Sequence, residues 1–298
     1  MESVTVRASA TSANLGAGFD VLGLALDSPY DVVEVEKADR LSISVKGRGS
    51  EHVPLDPAKN TAGLVALEMG KRVRISIDSG IRPGSGLGSS AAPAAGTAVA
   101  INELFSLGYS REELVWIAAK GEVAAAGMAH ADNVAPCIMG DLTIVSGGRI
   151  EHVEMPPLSV VAILPEIVVS TRVARSILPR QVPLKEMVQN VGKASMFLAG
   201  VFRKDPWAIG QSLPDTFNER YRSPLIRGYA GVRAAALESG AYGVAISGSG
   251  PTMLALCPDE RASAVAASMR KGFSSAGVEA EAFVTTVGKG VKVIKHER

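Results

Sequence analysis

Cysteine is nearly absent: Cys137 and Cys257 are the only two in 298 residues. Two thiols so far apart make neither a metal cluster nor a disulfide framework. Their apolar surroundings mark them as buried free thiols, in keeping with a reducing cytoplasm. Excess charge of either sign is also missing, with 31 Lys plus Arg against 30 Asp plus Glu. That balance removes the global basic field that nucleic acid or an anionic membrane would require, so any anion site must be built locally. Long aliphatic runs are missing too. Residues 83–102 and 240–258 carry no charge, but Gly, Ser, Ala and Pro dominate them, a composition too weakly apolar for a membrane span. The apolar segment Val21 to Leu26 is too short for a signal peptide and has no basic stretch before it. A soluble cytoplasmic protein with neither nucleic-acid nor membrane partner is expected. There is no internal repeat and no low-complexity tail, and the length suffices for two domains with ordinary cores.

What is present alternates between strand and helix periods. Val4 and Val6, Val33 and Val35, and Leu41, Ile43 and Val45 read as half-buried strands. After a polar loop, residues 47–59, Asn60 is placed to cap a helix through Met69 that stops at Gly70. Val73, Ile75 and Ile77 form the next strand. A helix over about 89–105 follows, then a Ser110/Glu113 capping box opening a helix to about Gly127, and a strand over 141–146. Pro156 and Pro157 mark the domain boundary, because neither donates a backbone hydrogen bond. Beyond it come a strand at 160–164, helices between 172 and 213, a helix over 225–239, strands at 243–246 and 252–256, a helix over 259–273 and a strand at 278–284. The order strand, helix, strand, strand, helix, strand suggests a ferredoxin-like second half.

The segment R-P-G-S-G-L-G-S-S-A-A, Arg82 to Ala92, joins an alternating strand directly to an alanine-rich helix. Gly84, Gly86 and Gly88 permit positive φ and close approach of a ligand to the backbone. Ser89 and Ser90 then open the helix, so first-turn N–H groups, the positive dipole end and two hydroxyls converge where a phosphate would sit. No lysine precedes Ser89, which excludes a Walker A loop. Gly86, Gly88 and Ala91 match a dinucleotide fingerprint, yet a second helix follows where that motif requires a strand. A glycine-rich turn with a serine helix cap is the plain alternative.

Phosphoryl transfer also needs a magnesium ligand, a group that positions the attacking hydroxyl, and stabilisation of the moving charge. Glu122, alone among small apolar residues, either meets a cation or reaches solvent; a magnesium ion would take Glu122, the Ser90 hydroxyl and phosphate oxygens. The run G-M-A-H-A-D-N-V-A-P places His130, Asp132 and Asn133 together, with Asp132 the candidate general base and Asn133 able to orient a hydroxyl. S-A-N-L-G-A-G-F-D supplies Asn14 and Asp20, either as Asx-turn residues or as an amide and a carboxylate for a substrate ammonium. Arg172 and Arg175 after Ser170-Thr171, and Arg222 in E-R-Y-R-S-P, are either surface arginines or bidentate partners for a carboxylate.

Together these segments resemble the GHMP small-molecule kinases over nearly the whole chain. The glycine loop is similar to that family's nucleotide loop, and S-G-S-G-P at 247–251 to its third motif, near the phosphates. S-A-N-L-G-A-G-F-D, H-A-D-N-V-A-P, Y-R-S-P and S-T-R-V-A-R are nearest to the members acting on L-homoserine. The resemblance implies an α+β, two-domain GHMP kinase fold: residues 1–156 as a ribosomal S5 domain 2-like domain and 157–298 as a ferredoxin-like one. It implies ATP and Mg2+ as cofactors. The nucleotide would lie against Asn60, the loop Arg82, Pro83, Gly84, Ser85, Gly86, Leu87, Gly88, Ser89, Ser90, Ala91 and Ala92, and Gly248 and Gly250. Ser90 and Glu122 would hold the metal. Asn14, Asp20, His130, Asn133, Arg175 and Arg222 would hold the amino acid, with Asp132, Asn133 and Thr171 at the reacting hydroxyl. Whether Asp132 acts as a base stays open, since a loose transition state asks little activation of the hydroxyl. The implied product is O-phospho-L-homoserine, on the route to threonine, and the implied assembly a homodimer. A mevalonate-like or sugar-alcohol kinase of the same family, and a catalytically silent ligand sensor on the same fold, are the alternatives.

Overall fold

The computed structural model describes residues 2–122, 131–214 and 217–297. The first sheet is built on β1 (Ser3–Ala13) and β2 (Leu22–Lys37), with β3 (Ser42–Gly47) and β4 (Val73–Ser79) beyond them. Its inner face follows the period of two: Val4, Val6, Ala8, Val33, Val35, Val73 and Ile75 are all fully buried. β3 and β4 are parallel, joined through α1 (Thr61–Glu68). Asn60 caps α1, its Oδ1 accepting from Ala62 N at 2.9 Å.

The alanine-rich α2 (Ala91–Phe105) lies on this face. Small residues let it come close: a Cβ on Gly96 would stand 2.9 Å from Val33 Cγ2. The helix begins at Ala91, two residues later than expected, and Ser90 at its N-cap position makes no side-chain cap hydrogen bond. α3 (Arg111–Gly121) starts on the expected capping box, Glu113 N donating to Ser110 Oγ at 3.3 Å and Ser110 N to Glu113 Oε2 at 2.8 Å. The polar run around Asp132 is itself helical, α4 (Ala131–Met139). The hairpin β5 (Leu142–Ser146) and β6 (Arg149–Val153) completes this half by pairing on β2.

Pro156 and Pro157 lie between β6 and β7 (Ser159–Pro165), the first strand of a second, four-stranded sheet. The short α5 (Thr171–Ser176), α6 (Leu184–Phe202), α7 (Pro206–Ser212) and α8 (Asn218–Arg222) intervene before α9 (Tyr229–Glu238). β8 (Gly243–Ile246), β9 (Met253–Cys257), α10 (Ala262–Ser275) and β10 (Ala280–Thr286) follow. The antiparallel order β10-β7-β9-β8, with α9 and α10 as crossovers, is the ferredoxin-like arrangement. Val161, Ile163, Val232, Val265 and Phe273 form the core on the α9/α10 side. On the other face, Val160, Ala162, Leu254 and Leu256 join Phe197, Val201 and Ile209 in a core continuous with that of the first domain.

Later in the chain a helix starts after its expected position and a strand returns to the first sheet. The helix foreseen over 225–239 starts only at Tyr229, because Ser223–Leu225 is a 3-10 turn and Gly228 stands at φ 92°. A further strand, β11 (Lys292–Glu297), leaves the second domain and pairs antiparallel with β1, so a cut at 156/157 does not separate the chain into two sheets. Among the described residues no helix is long and apolar enough to cross a membrane.

Candidate active site

A cavity of about 370 Å³ opens where the glycine loop, the β1–β2 turn, α5 and the S-G-S-G-P turn meet. The loop holds the shape its glycines permit, with φ of 70°, 79° and 71° at Gly84, Gly86 and Gly88. Gly86 and Gly84 illustrate two uses of glycine. A Cβ on Gly86 would stand 2.6 Å from Ser247 O and 2.7 Å from Gly250 O, whereas one on Gly84 would meet nothing within 4 Å. The first glycine lets the S-G-S-G-P turn close on the loop. Ser247 Oγ donates to Gly86 O at 2.7 Å, Thr252 N to Ser85 O at 3.3 Å and Thr11 N to Leu87 O at 3.1 Å.

Behind the loop stand two buried carboxylates. Ser90 Oγ donates to Glu122 Oε2 at 3.0 Å, leaving Glu122 Oε1 buried with no hydrogen-bond partner among the described residues. Burial pushes the Glu122 carboxyl up to about 7, against the Ser90 hydrogen bond and with a further push from the charge of Asp132. Asp132, at the start of α4, is raised to about 6, by burial first and by Asp20 second, while Arg175 opposes. Its Oδ1 likewise lacks a partner among the described residues. Unsatisfied buried carboxylate oxygens beside a hydroxyl suit a hard divalent cation. No cluster of three or more His, Cys, Asp or Glu occurs among the described residues. The Ser90 hydroxyl and the Glu122 carboxylate could hold such an ion. Asn133, the next residue, accepts from Thr11 Oγ1 at 2.8 Å through Oδ1.

At the other end lie the cationic groups. Arg175 donates from both terminal nitrogens to Asp20, at 2.9 and 2.8 Å, a bidentate pair joining the β1–β2 turn to α5. Asp20 and Asn14 both have positive φ, 57° and 74°. Their turn is closed by Asp20 N donating to Asn14 Oδ1 at 3.0 Å, and it is tied to the second domain by Asn14 Nδ2 donating to Gly248 O at 2.8 Å. Arg222 is buried and donates to Ala174 O and Gly248 O, both at 3.1 Å. Both guanidinium groups lie over the Phe19 ring, 5.4 Å for Arg175 and 5.1 Å for Arg222. Thr171 Oγ1 is 3.3 Å from Ser249 Oγ.

The description "GHMP kinases N terminal domain" matches residues 57–141, and "GHMP kinases C terminal" matches residues 197–275. A homoserine kinase of Methanocella arvoryzae is 73% identical over 297 residues, covering 100% of this chain and 99% of that protein. One from Haloarcula marismortui is 52% identical, with 97% and 99% covered. The crystal structure of homoserine kinase from Cytophaga hutchinsonii superposes with a TM-score of 0.90 at 38% identity, covering 99% of this chain and 98% of that one. The chain belongs to the homoserine kinase family of GHMP kinases.

Within this GHMP kinase fold, most of the residues singled out from the sequence line one cavity. Asn14, Asp20, Asn60, Pro83, Gly84, Gly86, Gly88, Ser89, Ser90, Glu122, Asp132, Asn133, Thr171, Arg175, Arg222 and Gly248 all border it. Arg82, Ser85 and Gly250 do not; Ser85 Oγ instead accepts from Leu87 N at 3.3 Å within the loop. Leu87 in the loop and Ala91 and Ala92 in the first turn of α2 are core residues. His130 lies outside the described residues. Asp20 and Arg175, expected at opposite ends of a substrate, meet each other. Phe19 and Asp31 were overlooked, although both border the cavity. Asp31 had a signal: it shares the apolar face of β2 with Val33 and Val35, where a carboxylate is out of place. Phe19 had none beyond its place beside Asp20.

Proposed function

We propose that this chain transfers the γ-phosphoryl group of ATP, with Mg2+, to the side-chain hydroxyl of L-homoserine, giving O-phospho-L-homoserine for threonine synthesis. The observation that carries it is one cavity bordered by both the glycine loop with Ser90 and Glu122, and the charged set Asp20, Arg175 and Arg222. The nucleotide's phosphates would lie on the loop amides and Gly248, with its base toward Asn60. Ser90 and Glu122 would hold the magnesium ion, which when bound neutralises charge on the phosphates.

A free amino acid carries one ammonium and one carboxylate. It would exchange the Asp20–Arg175 pair for its own contacts, its ammonium meeting Asp20 and its carboxylate the guanidinium groups. Thr171, on the S-T-R-V-A-R helix, borders the same cavity as Asp132 and Asn133. Asp132, raised to about 6, is ionised at neutral pH and suited to accept the hydroxyl proton as phosphoryl transfer proceeds. Asn133 orients that hydroxyl without taking its proton.

The test is an ADP-release assay with Mg2+-ATP and a panel of L-homoserine, mevalonate and sugar alcohols. Turnover of L-homoserine alone is expected. Turnover of another alcohol in its place moves the chain to a sister activity, and no transfer to any hydroxyl compound makes it a ligand sensor. We also read the protein as cytoplasmic and homodimeric. Leu184, Met187, Val188 and Val191 leave apolar side chains exposed along one face of α6, a surface suited to self-association. Light scattering at twice the chain mass is expected, and a monomer overturns that reading.

A further inference from the structure

Resting on the reading of residues 82–92 as the nucleotide loop, we infer that Asp31 is the positioning residue that fixes the root of that loop. Asp31 is 1% exposed, on β2 and outside every motif that marks the family. Its Oδ1 accepts from two consecutive backbone donors at the exit of β4, Gly80 N at 2.9 Å and Ile81 N at 3.0 Å, while the Ser79 hydroxyl, 3.3 Å away, shares its proton with Ile81 O at 3.0 Å. These are the last residues before Arg82 and the loop.

The loop's far end is held by Thr11 N on Leu87 O and its middle by Ser247 Oγ on Gly86 O and Thr252 N on Ser85 O. At the root, the Asp31 carboxylate does this work. The root also sits tightly on β2, since a Cβ at Gly80 would be 2.2 Å from Tyr30 O. Gly80 N and Ile81 N point into β2 in place of a ladder partner, and Ile81 is itself buried. Without Asp31 both donors are left unsatisfied unless the root shifts or water enters, either of which re-aims the amides that follow. Asp31 borders the same cavity as Gly84 and Ser90, so a displacement there reaches the nucleotide. The amino-acid end is less affected, because its anchors on Asn14, Arg175 and Ala174 lie away from the root and only Gly248 O belongs to the turn that meets the loop.

Asp31→Leu removes the acceptor while keeping the branching at Cγ, and Asp31→Asn keeps an oxygen at that place while removing the charge. Binding of Mg2+ with a non-hydrolysable ATP analogue is read by calorimetry, and KM for ATP and for L-homoserine by turnover. For Asp31→Leu, the analogue's Kd and KM for ATP are expected to rise about tenfold, with KM for L-homoserine within about twofold of the parent. Asp31→Asn is expected to stay within about threefold of the parent for the nucleotide. The inference is overturned if Asp31→Leu binds the analogue like the parent, if both KM values rise equally, or if Asp31→Asn is as impaired as Asp31→Leu. If Asp31→Leu does not fold, Ser79→Ala decides. It removes the hydroxyl that braces the root against both Asp31 Oδ1 and Ile81 O, a rise of about threefold in the analogue's Kd is expected, and no rise overturns the inference. Calorimetry does not require turnover, so a parent protein that binds the analogue but leaves homoserine unphosphorylated fails the functional reading alone.

Discussion

Single residues in this cavity are set by the cost of burying charge. Asp132 and Glu122 both sit where desolvation favours the protonated form, at about 6 and about 7. If Asp132 accepts the hydroxyl proton, Asp132→Asn slows turnover, and the acid limb of the kcat profile near pH 6 disappears with it. A variant with the parent's rate and the same acid limb rules out the base role. Stability carries the opposite sign from the usual salt-bridged carboxylate. A carboxyl raised by folding binds more protons folded than unfolded, between its unfolded value near 4 and its folded value, so stability falls as pH rises through that window. With Asp31 also raised to about 7, the three carboxyls place that loss between about pH 4 and 7. Ligand-free protein is therefore expected to melt several degrees higher at pH 5.5 than at pH 8. A metal requires the ionised carboxylate, so Mg2+ with an ATP analogue raises Tm more at pH 8 than at pH 5.5. A Tm that climbs steadily across that range without ligand contradicts the assignment.

Among the elements, the glycine loop and the S-G-S-G-P turn act as one unit because their backbones touch. Gly86→Ala drives a Cβ into Ser247 O and Gly250 O, and also places alanine at φ 79°. Gly84→Ala has the same φ problem without any collision. The left-handed conformation costs roughly 1–2 kcal/mol at either site, so only the collision separates the two. Gly86→Ala is expected to weaken the ATP analogue by well over tenfold, and Gly84→Ala by less than about tenfold. Equal losses in calorimetry would mean that the turn does not press on the loop as it does here. The arginine end follows similar logic at longer range. Arg175 reaches Asp20 with two parallel hydrogen bonds, a geometry that an ammonium cannot copy.

At the scale of the molecule, what was legible in the sequence was what local chemistry decides. The Asn60 cap, the Ser110/Glu113 box, the positive-φ glycines and the alternating strands each depend on residues a few positions apart, and all are present. The Asp20–Arg175 pair spans 155 positions and the Asp31 anchor about 50, distances at which no spacing rule speaks. β11 was illegible for another reason: every one of its residues is exposed, so K-V-I-K-H-E shows no buried face to betray a strand. It nonetheless returns the end of the second domain to the first and covers the edge of β1, pairing only over Ser3 to Arg7. The end of β1 that reaches the cavity, Thr11 to Ala13, is held instead by β2 and by Leu87 O. Stability and function are thus separable along one strand. Deleting residues 292–298 uncovers an unpaired edge with its N–H and C=O groups open to other chains. The deletion is expected to lower Tm by about 5 °C and to promote concentration-dependent aggregation, with KM for ATP and kcat per folded molecule unchanged. Calorimetry, light scattering and steady-state kinetics on the same sample decide it; lost turnover at an unchanged Tm would show that β11 serves the cavity and not the sheet edge.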